Sequence, residues 1–222
     1  MVDWGWLLDH VPALLYRTGQ HLYLSAIAVA LGLAISFAMG LAATRRGGLY
    51  LPFATFSGIV YTIPSLALFA ALVPILGLTV LTAEVPLILY TLVILFRNVV
   101  AGLEAAGPDV LEAADAMSLA GGSRLWRVEL PLAVPLIIAG LRVATVSTIG
   151  LVTITALLGD ALGGLGFFIY EGATRSFPTE IYAGAIPTIL LALLLDRALV
   201  WAGDRLAPWQ RADSGARGGA PG

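Results

Sequence analysis

The chain has 222 residues, 59% of them hydrophobic and 12% charged, with a mean hydropathy of +0.93. About a quarter of the residues in a soluble domain are charged, so this composition is built for lipid as solvent. The net charge of -2 gives no sign of nucleic-acid binding and no such partner is expected; the absence of cysteine excludes disulfides, thiolate metal sites and cysteine nucleophiles.

A helix that crosses the hydrocarbon core needs about 20 mostly apolar residues. Residues 1–20 are too charged to span and read as an extracytoplasmic N-terminal segment, with Trp4 and Trp6 suited to the interface. Asp3 and Asp9 spoil the basic start of a cleavable signal peptide, so the first span reads as an uncleaved anchor. Residues 21–44 make that span without a charge, and residues 49–76 make a second, interrupted by Pro64. A third, 85–103, carries Arg97 and Asn98 toward its end, and a fourth, 132–158, has Arg142 in its first half. The fifth, 181–201, carries Asp196 and Arg197 near its end. These spans make up one membrane domain over 21–203, and residues 204–222, rich in Gly, Ala, Pro and Arg, read as a disordered cytoplasmic tail.

Five spans put the termini on opposite sides. Arg45, Arg46, Arg124, Arg127, Arg205, Arg211 and Arg217 fall on one side, against Arg17 and Arg175 on the other. The positive-inside rule therefore places the N-terminus outside and the C-terminus in the cytoplasm, together with the polar stretch 107–131. Read as a helix from Pro108, that stretch sets Asp109, Glu112 and Asp115 on one stripe and Val110, Ala113, Ala114 and Met117 on the other. Proline in the first turn and early acidic residues suit its start, Gly121 and Gly122 suit its stop, and Ser123 suits the cap of a second short helix with Arg124, Trp126 and Arg127. The acidic stripe fits basic groups on a protein partner. It suits an anionic lipid surface poorly.

Glu112-Ala113-Ala114, followed after this interval by Leu130-Pro131, resembles the EAA loop of ABC-importer permeases. Two positions depart from that pattern: Ser118 stands where glycine is usual, and Val128 where isoleucine is. Without the glycine, the helix is expected to continue to Gly121 before it turns. Ile63-Pro64-Ser65-Leu66-Ala67-Leu68, Phe96-Arg97-Asn98, the run from Arg124 to Leu132, and Gly163-Gly164-Leu165-Gly166 resemble the osmoprotectant branch, which moves glycine betaine, choline or carnitine. The likeness covers about residues 55–170.

The resemblance implies an all-α integral membrane fold, a methionine-permease-like core of about five transmembrane helices with a cytoplasmic coupling helix, in a bacterial inner membrane. It implies Glu112, Ala113, Ala114, Ser118, Leu130 and Pro131 as the contact with a separate ABC ATPase, which holds the ATP and Mg; this chain binds no cofactor. Other implied partners are a second permease subunit, either this chain or a paralogue, and an extracytoplasmic substrate-binding protein. The chain has no lysine and therefore no G-x-x-x-x-G-K-[ST] phosphate loop of its own.

For the pathway the candidates are Tyr61, Pro64, Ser65, Ser147 and Thr148. Pro64 frees backbone carbonyls that suit either a water-filled route or bonds to neighbouring Ser and Thr. Ser147 and Thr148, with Thr153 and Thr155, suit either a hydrophilic route or interhelical hydrogen bonds. Arg97, Arg142, Asp196 and Arg197 read as interfacial, the arginines snorkelling. In the external segment 159–180 the clustered glycines suit a gate or a plain re-entrant turn; Asp160, Glu171 and Glu180, with Glu84, suit either an external binding protein or solvent. His10 and His21 are isolated, so no metal site is expected. Competing classes fare worse. No intramembrane protease signature is complete, and five spans without a repeat do not fit an ion-coupled secondary transporter. Methionine or phosphonate remains the alternative substrate.

Overall fold

The computed structural model describes residues 2–209, and those residues form helices joined by short turns. The tail expected beyond that point, with Arg211 and Arg217, lies outside the described residues. In chain order the helices are α1 (Trp4–Asp9), α2 (Val11–Arg45), α3 (Tyr50–Thr62), α4 (Ser65–Leu76), α5 (Val80–Glu104), α6 (Pro108–Ala116), α7 (Gly122–Arg124), α8 (Leu130–Val152), α9 (Gly166–Thr174) and α10 (Pro178–Leu206). Among the described residues, four helical stretches are long and apolar enough to cross a bilayer, and the bent pair α3–α4 makes a fifth when counted as one span.

α2 and α5 lie along one another because α2 presents a column of small buried residues, Ala28, Gly32, Ser36 and Gly40. Small side chains let backbones approach closely where lipid supplies no hydrophobic drive between helices. A Cβ on Gly32 would come within 1.8 Å of Thr91 Oγ1, and one on Gly40 within 2.6 Å of Val99 Cγ1. The two contacts advance together along both helices, so α2 and α5 run in the same direction and α3–α4 returns the chain between them. α8 runs opposite to α5, with Gly102 against Ala133 and Gly140 against Asn98. α10 runs opposite to α8, with Gly203 against Ile138. Phe69, Leu87, Leu24 and Val152 close the core between α2, α4, α5 and α8.

Several boundaries differ from the sequence reading. α2 has 35 residues and starts at Val11 instead of residue 21. At ~1.5 Å per residue it is about 50 Å long, beyond the ~30 Å hydrocarbon core. Its first turns carry polar groups, and each finds a partner in the protein. The Arg17 guanidinium lies over the Phe167 ring, 4.0 Å from its centroid. Gln20 accepts from Gly164 N at 3.0 Å. His21 is fully buried; its Nε2 donates to Ile149 O at 3.0 Å and its Nδ1 accepts from Leu165 N at 3.2 Å.

The glycine cluster therefore forms a packed turn. Gly164 has φ +49° and leaves no room for a Cβ beside His21, and a Cβ on Gly166 would fall 2.2 Å from Thr153 O. The external carboxylates are also reassigned. Glu84 and Glu180 are buried, at 4% and 3% exposure, and Glu171 pairs with Arg175 at 2.6 Å, which leaves Asp160 exposed. Arg142 and Asp196, read as separate interfacial groups, form a two-bond ion pair at 2.7 and 3.0 Å that ties α8 to α10. Pairing across 54 positions is invisible to local sequence rules.

Candidate functional site

The polar stretch between α5 and α8 stands at the end of the bundle that also holds Arg45 and Leu206. α6 starts at Pro108, whose missing N–H costs nothing in a first turn, and ends after nine residues. Glu112, Ala113 and Asp115 are exposed and Ala114 is buried at 1%, so one alanine faces the bundle while the other lies open beside Glu112. Met117 and Trp126 are exposed at 67% and 71%. The outer face of this stretch is thus apolar and acidic, and both its ends join spans. Leu130 and Pro131 open α8 and are half-buried.

The end of α6 corrects the sequence reading. Ser118 takes φ +60°, so the helix stops at Ala116 and does not run on to Gly121. The stop is a Schellman motif: Leu119 N donates to Ala114 O at 3.0 Å and Ser118 N to Asp115 O at 2.9 Å. These two bonds hold a non-glycine residue in the left-handed region. The same motif recurs after α9, where Ser176 has φ +53° and Phe177 N donates to Gly172 O at 2.8 Å. Ser123 caps nothing. The N-cap is Gly121 at φ +55°, and α7 runs through a π-turn over Leu125–Glu129 straight into α8.

That π-turn turns Glu129 inward, where it is 3% exposed. Arg45 Nη2, at the end of α2, donates to its carboxylate at 2.7 and 3.0 Å, and Arg124 Nε donates at 3.0 Å. Arg124 reaches on with Nη1 to Asp115 of α6, at 3.0 and 3.1 Å. One chain of charges, Arg45–Glu129–Arg124–Asp115, thus links α2, the head of α8 and α6. Asp115, assigned to a partner's basic groups from sequence, is engaged within its own chain. Glu129 was not singled out from sequence; its place between Arg124 and the Leu130-Pro131 pair was the available hint.

The second cluster surrounds the break in the bent pair. Pro64 cannot donate to the α3 ladder, so α3 ends at Thr62 and α4 leaves at 94°. Thr62 Oγ1 donates to Ile59 O at 2.7 Å, and Tyr90 of α5 donates its hydroxyl to Ile63 O, which satisfies freed carbonyls. Beside the break is an open cavity of about 480 Å³. Tyr61, Pro64, Ser65, Ser147 and Thr148 all line it, with Tyr90, Thr91 and Ile94 from α5. Its lining has no charged side chain. Thr148 is buried and returns its hydroxyl to Ala144 O at 2.8 Å, which leaves Ser147 as the exposed hydroxyl of that pair.

Among the described residues, no cluster of His, Asp and Glu is arranged to hold a metal ion. Neither the cavity nor α6 brings a nucleophile to a base among the described residues.

A family model described as "Binding-protein-dependent transport system inner membrane component" matches residues 30–212. A glycine betaine/carnitine/choline transport system permease protein of Bacillus subtilis (strain 168) is 36% identical over 88% of this chain and 89% of its own. An osmoprotectant import permease protein of Salmonella typhimurium is 35% identical over 86% and 90%. A carnitine transport permease protein of Listeria monocytogenes is 34% identical over 88% of each. Among solved structures, an inward-facing methionine ABC transporter, MetNI, superposes with a TM-score of 0.72 over 88% of this chain and 94% of that one. At 20% identity that likeness speaks for the fold alone.

Proposed function

Because the chain belongs to the family of binding-protein-dependent transport system inner membrane components, we propose that it imports osmoprotectants of the glycine betaine, choline and carnitine class. It is a membrane permease subunit, and its relatives over most of its length are osmoprotectant permeases. In this reading a second permease subunit completes the passage, an extracytoplasmic binding protein delivers the solute, and a separate ATPase holds ATP and Mg. The N-terminus lies outside; α6, Arg45 and the C-terminus lie in the cytoplasm, as arginine bias requires.

The observation that supports coupling is the exposed Glu112–Ala113 face of α6, carried between two spans by short joins. A nucleotide-driven motion of the ATPase presses on this face, and the charge chain through Arg124 and Glu129 passes it to α2 and α8. The cavity beside Pro64 is the pathway segment this motion opens and closes. Replacing Glu112 by Lys tests the coupling: ATPase copurification and solute uptake should both fall sharply. Undiminished assembly together with undiminished uptake would refute it.

A further inference from the structure

The cavity beside the α3–α4 break does not end at Ile94. A second cavity of about 430 Å³ shares Tyr61 and Ile94 with it and continues along the same face of α5, past Gly58, Val93, Arg97 and Asn98. Tyr90, Ile94, Arg97 and Asn98 fall at i, i+4, i+7 and i+8, one stripe of a helix. The two cavities adjoin as one groove along α3 and α5, with α8 lining its wider part. Its upper part is neutral, and Arg97 is the charged side chain at its lower part.

The upper part is aromatic. The Tyr61 and Tyr90 rings meet edge to face, with centroids 5.9 Å apart at 68°. Tyr61 is 55% exposed and Tyr90 6%, so the buried ring holds the exposed one in place. Tyr90 spends its O–H proton on Ile63 O, which leaves its ring more electron-rich and its position fixed by the helix break. A quaternary ammonium has no N–H to donate, and aromatic faces are what attract it. Arg97 lies seven residues further along α5, about 10 Å at ~1.5 Å per residue, and its long side chain can turn back along the groove. Its planar guanidinium suits a carboxylate.

We infer that this groove recognises its passenger by both ends: the exposed Tyr61 ring, braced by Tyr90, takes the quaternary ammonium and Arg97 takes the carboxylate of a zwitterion. The inference rests on the transport reading and adds a selectivity to it. A zwitterion gains from both stations, whereas a plain cation gains from Tyr61 and is repelled by Arg97. The permease, as well as the binding protein, then discriminates glycine betaine from choline.

The test uses the complete transporter in proteoliposomes, with its ATPase and binding protein, and measures ATP-driven uptake of glycine betaine and of choline at saturating solute. Arg97→Gln should lower the glycine betaine to choline ratio about fivefold, and Arg97→Lys should restore part of it. Tyr61→Leu should lower uptake of both about fivefold, the size of one cation–π contact, while Tyr61→Phe keeps the ring and most of the rate. A ratio unmoved by Arg97→Gln, or equal rates in Tyr61→Leu and Tyr61→Phe, would overturn the two-station groove. If the unaltered complex imports neither solute, the transport reading itself falls, and the groove assignment falls with it.

Discussion

In the coupling reading proposed above, Glu129 is the ionic joint between α6 and the spans, and its charge can be removed without changing its size. Glu129→Gln keeps one acceptor oxygen but turns an amide NH₂ toward two guanidinium groups that offer donors only. Breaking a fully buried pair costs about 3–5 kcal/mol. Here the carboxylate side chain is 4% exposed but Arg45 is 39% exposed, so water recovers much of the loss. The remaining cost is about 1–2 kcal/mol, and ~1.4 kcal/mol is tenfold in an equilibrium. The loop over residues 108–124 should then open away from the bundle about tenfold more often. Hydrogen exchange of peptides from this loop, with the protein in lipid nanodiscs, reads that opening directly. Exchange in α10 should not change, because Arg142–Asp196 is untouched. Uptake per ATP hydrolysed should fall, since a looser joint passes on less of the motion. Unchanged exchange across the loop would show that the charge chain carries no strain, and the reasoning would fail.

Three further outcomes follow from local geometry. Ser118→Gly releases a left-handed strain of about 1–2 kcal/mol and gives back part of it, about 0.5–1 kcal/mol, in unfolded-chain entropy, so thermal stability should rise slightly with uptake retained. A fall in stability would contradict the strained Schellman turn. Gly166→Ala pushes a methyl into the Thr153 backbone and should cost about 1–3 kcal/mol in thermal unfolding, with loss of the α8–α9 turn. Gly32→Val should separate α2 from α5 at Thr91 and reduce the yield of folded protein, whereas Gly19→Ala, where a Cβ meets nothing within 4 Å, should be silent.

Much of the architecture was legible because its signals are local and repeated. Apolar runs announce spans, Pro64 announces a break, and Pro108 announces the start of a short exposed helix. The five pathway candidates were chosen singly for chemistry and position, and the fold gathers them around one cavity. What could not be read depends on pairing at a distance. Asp115 looked free for a partner until Arg124 was seen to turn back to it. Arg142 and Asp196 looked like two snorkelling residues until α8 and α10 were laid side by side. Glu84 looked external because it begins a span, yet the helix starts earlier, at Val80, and carries it inside. Ser118 is the instructive miss. Propensity argued against positive φ there, and two backbone bonds outweighed it.

The account depends above all on α6 facing the cytoplasm with its Ala113 side against the ATPase. The chain has no cysteine, so Ala113→Cys places a single thiol at that spot. Labelling it with a membrane-impermeant maleimide in sealed vesicles of each orientation is the decisive measurement. The account predicts labelling in inside-out vesicles, suppressed when the ATPase is bound, and none in right-side-out vesicles. Labelling from the outer face, or labelling indifferent to the ATPase, would contradict it.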